Sequence, residues 1–201
     1  GFYDRLAELY NVIERTGQWP AALVQGRKAL IPKPGDGGDP VSYKALDQRP
    51  LTVLTLGYRL WAGARLQQIN GWIESRVHPG LRGGAPNREV NDVWFEMALR
   101  VERALLHPEE SAAVAGMPMD LQKAFDLCPT DITLQLLEHM GFPPQLGRAL
   151  RGFYKDVRCV FAHLGVVGES FQKTAGLFQG CPWSMMAMDH GTWTMAMHHR
   201  P

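Results

Sequence analysis

The sequence predicts an α+β fold, because helical and extended patterns both recur and neither dominates the chain. Three long segments place apolar residues at the three- and four-residue spacing of amphipathic helices: 2–16, 53–77 and 87–101. Four shorter apolar runs have the length of strands: 23–31, 112–119, 158–164 and 168–174. We therefore expect helices to pack on a small sheet.

The first half of the chain divides at its glycine and proline residues. Gly17 is placed to end the helix over 2–16, and the strand over 23–31 leads into a loop over 32–47 that is rich in glycine and proline. The long helix over 53–77 has a break near Asn70 and Gly71. A glycine-rich turn over 79–86 follows it.

The second half repeats this alternation of helices and short strands. Asn87 is a candidate cap for a helix whose apolar residues fall on one face. Helices are predicted over 130–140, ended by Gly141, and over 144–155. The runs at 158–164 and 168–174 predict a hairpin, and a final helix is expected over 184–198.

Composition restricts the class of protein but does not identify a ligand. The chain has 201 residues, of which 45% are hydrophobic and 20% charged, as in soluble globular proteins. Its formal net charge of +1 gives no support for nucleic-acid binding. The three cysteines lack metal-ligand spacing and are expected to be free thiols. No apolar run approaches the roughly 18 residues of a membrane helix. We also expect the chain to be a piece of a longer polypeptide.

The segment 119–126, MDLQKAFD, carries the first chemical signal. Asp120 follows the apolar run 112–119, so a carboxylate is expected at the end of a buried strand, where it meets solvent. Rigidly held carboxylates of this kind bind hard cations such as Mg²⁺ in phosphoryl transfer. The alternative is that Asp120 only ends a strand or caps a turn. Phe125 is equally open to interpretation as a core aromatic residue.

The segment 176–184, GLFQGCPWS, lies about fifty residues further on and carries the second signal. Gly176 and Gly180 permit close approach of the backbone to a ligand, and the Gln179 amide offers both a donor and an acceptor. The alternative is an ordinary turn between a strand and a helix.

These two segments together resemble motifs A and B of reverse transcriptases, in particular the polymerases of non-LTR (LINE-type) retrotransposons. The segments 29–35, ALIPKPG, and 48–51, QRPL, are similar to the fingers of the same family. The resemblance implies a right-hand polymerase with helices packed on a small antiparallel sheet, an incomplete palm and no thumb. Residues 1–111 would form a fingers-like region with the N-terminal helix, and residues 112–201 a partial palm.

The resemblance also implies roles for particular residues. Asp120 and the carbonyl of Leu121 would bind Mg²⁺, of which the complete enzyme uses two ions, and Asp120 would be the catalytic carboxylate. Phe125 would lie under the incoming sugar and exclude a 2′-hydroxyl. Four further residues would bind the nucleotide or template: Arg49, Lys33, Gln179 and Gly180. The chain departs from the family pattern at Phe178, Trp183 and Met185, where proline, leucine and proline are usual.

One family motif is missing from the chain. The aromatic-x-Asp-Asp turn that supplies the remaining carboxylates has no counterpart, because no Asp-Asp pair occurs in the sequence. The expected function is thus that of a fragment of an RNA-directed DNA polymerase that is inactive alone. Its expected partners are an RNA template, a DNA primer, a dNTP and the remainder of a larger polyprotein, in the nucleus and cytoplasm and without a membrane. A degenerate or co-opted nucleic-acid-binding module, and an unrelated α/β domain, are the alternatives.

Overall fold

The computed structural model describes residues 1–32, 48–109, 123–163 and 165–188. In chain order the elements are α1 (Phe2–Thr16), β1 (Gln25–Pro32), β2 (Gln48–Leu54), α2 (Leu56–Gln68), α3 (Asn70–Arg76), α4 (Val90–Leu106), α5 (Ala124–Leu127), α6 (Thr130–His139), α7 (Pro144–Asp156), β3 (Arg158–His163), β4 (Val166–Val167) and β5 (Phe171–Gln172). A final helix, α8, begins at residue 182 and is described as far as 188. The combination of helices with a small sheet confirms the α+β class.

Helix α1 has the predicted bounds and packs closely on α7. Gly17 ends it in the left-handed conformation, with φ of 74°, and its N–H donates to the Ile13 carbonyl at 2.7 Å. The Gly17 carbonyl oxygen then lies so near Gly152 of α7 that a Cβ at Gly152 would overlap it. Arg148 of α7 also donates to the Arg15 carbonyl at 2.7 Å. Glycine at position 152 therefore sets how closely the two helices approach.

The sheet is mixed, which corrects the antiparallel sheet that the resemblance implied. Its order is β2-β1-β3-β4, with β5 also paired to β3. β1 is antiparallel to β2 but parallel to β3, with Gly26 opposite Cys159 and Lys28 opposite Phe161. Several helices separate β1 from β3 in the chain, and such a crossover returns the chain in the same direction. The predicted hairpin is present, with β4 and β5 as two short return strands.

Strand β2 replaces the first turn of the long helix that the sequence predicts. Val53 and Leu54 pair with Arg27 and Gly26, and the helix begins only at Leu56. The local apolar spacing fits a helix, yet pairing with β1 decides the conformation. The predicted break is present, because α2 ends at Gln68 and α3 begins at Asn70.

An aromatic cluster forms the centre of the core. Tyr58 of α2 stacks on Phe153 of α7, with ring centroids 3.6 Å apart, and Trp19 packs edge-on against Phe153. Trp61 joins this group to Trp183 at the start of α8. The core thus draws on both predicted regions, 1–111 and 112–201, while the boundary between them lies outside the described residues and stays a prediction.

Helix α4 differs from the other long helices, because none of its residues is buried. Its predicted apolar face is exposed, including Trp94 at 68% and Leu105 at 75%. The helix is capped by Glu89 and not by Asn87, whose side chain donates to Glu74. In the described part of the chain, no helix is both long and apolar enough to cross a membrane.

Candidate functional site

Helix α5 and the loop that precedes α8 meet through their backbones. The Leu177 N–H donates to the Phe125 carbonyl at 2.7 Å, and the Thr130 hydroxyl donates to the Gly176 carbonyl at 2.9 Å. The ring of Phe125 is partly buried against the core. The end of the segment 119–126 is therefore joined directly to the segment 176–184, about fifty residues away in the chain.

Gly176 makes this junction possible. Its φ of 83° lies in the left-handed region, and a Cβ at this position would lie 2.5 Å from the carbonyl oxygen of Asp126. Real Cβ atoms do not approach a backbone oxygen so closely, so any side chain would separate the loop from α5. The sequence identified this glycine as a point of close approach, and the group approached is the chain's own backbone.

Lys173 joins the same two segments with its side chain. Its Nζ donates to Asp126 Oδ1 at 3.2 Å and to the Leu177 carbonyl at 2.8 Å, and it lies 5.2 Å from the ring centroid of Phe178. Burial lowers the pKa of Lys173, and the Asp126 carboxylate opposes that shift. Sequence reasoning missed Lys173, because a single lysine three residues before Gly176 carries no signal until Asp126 is found beside it.

The Gln179–Gly180 bend lies along the outer edge of β2. The Thr52 N–H donates to the Gln179 carbonyl at 2.8 Å. Gly180 has φ of 100°, and a Cβ there would lie 2.6 Å from the Thr52 carbonyl oxygen. The bend therefore covers the outer edge of β2, and glycine is required by the backbone contact.

Two departures from the family pattern have a structural reason. Phe178 is 1% exposed and stacks on Tyr154 with ring centroids 5.3 Å apart, while Trp183 is 1% exposed and packs on Trp61 and Phe142. Both side chains fill the core beneath the bend, where an aromatic ring buries more apolar surface than proline or leucine. Met185 is 44% exposed, and nothing in the structure explains that substitution.

Buried hydroxyl and thiol groups fix the start of α8 behind the bend. The Tyr58 hydroxyl lies 3.0 Å from the Cys181 thiol, and the Tyr154 hydroxyl lies 3.0 Å from the Ser184 hydroxyl. Burial raises the pKa of both tyrosines well above the ordinary value of 10.0, and Cys181 adds to the shift. Cys128, Cys159 and Cys181 are buried free thiols, which confirms the prediction for the cysteines.

Arg49 lies on the exposed side of β2, opposite Ile31 of β1. It is three residues along the strand from Thr52, so at about 3.3 Å per residue its Cα lies roughly 10 Å from that of Thr52, which contacts the bend. Lys33, Asp120 and Leu121, which the resemblance assigned to the triphosphate and the metal, lie outside the described residues.

The described residues do not form a metal site of their own. Among residues 1–32, 48–109, 123–163 and 165–188, no group of three or more His, Cys, Asp or Glu side chains could hold a metal ion. Asp126 lies next in sequence to Phe125 at the contact between α5 and the loop before α8, and its carboxylate forms an ion pair with Lys173.

Comparison with known proteins gives one similarity across most of the chain. No protein-family model matches the sequence. The chain is 24% identical over 189 residues to the transposon TX1 uncharacterized 149 kDa protein of Xenopus laevis. The match covers 91% of this chain but 14% of that protein. The chain is therefore similar to a small part of that transposon protein.

Proposed function

We propose that the chain is the fingers and part of the palm of a retroelement reverse transcriptase. The observation that carries the proposal is the junction between α5 and the loop before α8. There Phe125 accepts a hydrogen bond from Leu177, and Gly176 lies against Asp126. Contact between the two segments that resemble motifs A and B is what a shared nucleotide site requires. The similarity to a transposon protein supports the same origin.

The intact parent would transfer a nucleotide from a dNTP to a primer 3′-hydroxyl, with an RNA strand as template. The oxygen of that hydroxyl would bond to the α-phosphorus as its proton passes to solvent, and pyrophosphate would leave with the electrons of the broken P–O bond. Asp120 and the Leu121 carbonyl would hold Mg²⁺ in the parent, and the ion would supply neutralisation of negative charge during the transfer. Catalysis by this chain's other residues would be positioning and electrostatic stabilisation.

The described residues suit this positioning. The Gln179–Gly180 bend is held against β2 by the bond from Thr52. The side-chain amide of Gln179 can therefore contact a sugar or base with little motion of the backbone. Arg49 is exposed on the same strand, and its planar guanidinium is suited to bind phosphate oxygens. Phe125 is fixed by its backbone bond to Leu177, as a residue that excludes a 2′-hydroxyl must be. The partners would be the RNA template, the DNA primer, the dNTP and the rest of the polyprotein, in the nucleus and cytoplasm.

Primer extension tests the proposal. The 201-residue chain with a primed RNA template, Mg²⁺ and dNTPs should give no product, because the chain has no Asp-Asp pair. The full-length parent should extend the primer, and Asp120→Asn in the parent should abolish extension while leaving template binding nearly intact. A parent with an intact aromatic-x-Asp-Asp motif that does not extend a primer would contradict the proposal.

A non-catalytic nucleic-acid-binding module is the second candidate. The ion pair between Asp126 and Lys173 favours this candidate. Asp126 is the carboxylate nearest in sequence to the contact between α5 and the loop before α8, and it is neutralised by Lys173. Such a module would bind an RNA–DNA hybrid through its backbone and would do so equally well with Asp120→Asn. A stop codon or frameshift immediately downstream in the natural reading frame would support it.

A further inference from the structure

Lys28 is an ammonium group in an unusual position, because it points to the covered side of the sheet. The residue is 8% exposed and lies in the middle of β1. Its Nζ is 5.7 Å from the ring centroid of Phe161 and 5.6 Å from that of Phe171. The two rings stack on each other with centroids 5.0 Å apart.

The charge of Lys28 has no counter-charge in the described part of the chain. Within those residues no carboxylate or hydrogen-bond acceptor contacts its Nζ. Asp126 is bonded to Lys173, whose positive charge also acts on Lys28 across the same region. Contact with aromatic rings offsets only part of the cost of removing an ammonium group from water. The cluster of Lys28, Lys173 and Asp126 therefore carries one uncompensated positive charge.

Lys28 is also one strand away from the Gln179–Gly180 bend. Thr52 is its partner in the register of β1 and β2, so both side chains lie on the same side of the sheet. Thr52 is 2% exposed, and its N–H binds the Gln179 carbonyl on the opposite edge of β2. Lys28 keeps 8% of its surface exposed, and a long lysine side chain tends to turn its charged end toward water, so an anion can approach the ammonium group.

We propose that Lys28 is the centre of an anion-binding site that takes the phosphate oxygens of a nucleotide beside the bend. Lys173 strengthens the positive potential, and two of its three N–H groups are already bonded to Asp126 and Leu177. Phe161 and Phe171 exclude water from one side of the ammonium group, which strengthens its attraction for an anion. The anion site follows from the geometry of the sheet, whereas its assignment to a nucleotide rests on the proposed function.

Titration of the 201-residue chain with pyrophosphate, without magnesium, tests the site. Calorimetry should give a Kd on the order of 1 mM or tighter at low salt. Lys28→Met keeps the length and apolar stem of the side chain but removes the charge, and it should weaken binding at least tenfold. Lys155→Met removes an exposed lysine from α7 and should leave the affinity unchanged. Equal affinities for the wild type and Lys28→Met would overturn the proposal, as would no binding to the wild type.

A second measurement does not depend on the folding of a variant. Aromatic resonances of Phe161 and Phe171 in the wild-type chain should shift on addition of pyrophosphate, because both rings contact the ammonium group. Saturation without any change in these resonances would place the anion elsewhere and overturn the proposal.

Two further titrations identify the source of the phosphate. The nucleotide assignment is supported if dTTP binds in a Lys28-dependent manner and a single-stranded DNA 12-mer does not displace it. Lys28-dependent binding of the 12-mer but not of dTTP overturns that assignment. The polymerase proposal is tested by a different measurement. Primer extension by the parent tests the polymerase, whereas pyrophosphate binding to this chain tests the anion site.

Discussion

Gly176 lies directly against the backbone of Asp126, with space for no atom between them: a Cβ at residue 176 would lie 2.5 Å from the Asp126 carbonyl oxygen. The contact joins two segments that the sequence singles out independently. Replacement of this glycine therefore tests whether the junction stabilises the fold.

Gly176→Ala should lower the free energy of unfolding by at least about 2 kcal/mol. A left-handed backbone costs alanine roughly 1 kcal/mol, and separation of α5 from the loop adds to that cost. Gly165→Ala is the matched control, since Gly165 has the same φ of 83° but no atom within 4 Å of its Cβ position. Urea denaturation measures both variants. Equal losses would mean that the contact with Asp126 contributes nothing.

Lys173→Met should destabilise the chain by roughly 1–2 kcal/mol, because it leaves the Asp126 carboxylate and the Leu177 carbonyl without their donor. The Lys173 side chain is 12% exposed and that of Asp126 is 34% exposed, so solvent screens the pair in part and the expected loss is modest. Arg5→Met breaks an ion pair whose partners are 83% and 65% exposed, and its effect should be close to zero. A double-mutant cycle with Asp126→Asn should give a coupling energy of about 1 kcal/mol, and additive single effects would contradict the interaction.

Stability should fall as the pH rises above 10.0. Burial raises the pKa of Tyr58 and Tyr154 in the folded chain, whereas the unfolded chain releases these protons near the ordinary value of 10.0. Their contribution is therefore complete below pH 10.0 and is lost as the pH rises toward the folded pKa values. Urea denaturation between pH 8 and pH 11 measures the slope, which Tyr58→Phe or Tyr154→Phe should reduce. An unchanged slope in both variants would refute this origin.

Trp61→Ala and Trp94→Ala should differ by about 3 kcal/mol or more in the free energy of unfolding. Trp61 is 0% exposed in the aromatic core, where removal of an indole leaves a cavity. Trp94 is 68% exposed on α4, and replacement of a surface side chain changes stability by about 0.5 kcal/mol or less. Chemical denaturation of the two variants makes the comparison. A large loss for Trp94→Ala would mean that α4 is covered in solution.

Phe125→Val should reduce the preference for dNTPs over NTPs in a catalytically active parent by 10- to 100-fold. Exclusion of one hydroxyl by an apolar wall amounts to roughly 1–3 kcal/mol. The valine variant keeps the backbone bond from Leu177 to residue 125, so the junction should persist. Single-nucleotide incorporation kinetics with dTTP and UTP give the ratio. A ratio equal to that of the wild type would remove Phe125 from the nucleotide site.

The sequence by itself determined the helices with clear apolar periodicity, α1, α6 and α7, and the hairpin that begins with β3. It also identified the two segments whose meeting forms the candidate site. These features are encoded locally, because the period of apolar residues and the position of a glycine such as Gly141 depend on near neighbours in the chain. The function of Asp120, Leu121 and Lys33 stays a prediction, since these residues lie outside the described part of the chain.

Only the tertiary structure decided the rest. Val53 and Leu54 form a strand because β1 offers them partners, and β1 and β3 are parallel because helices cross between them. The burial of Lys28 beside Phe161 and the bond from Lys173 to Asp126 have a similar reason, because each pair joins residues more than 40 positions apart in the chain. Contacts at such separations depend on how whole elements pack, and no local pattern of residue types records them.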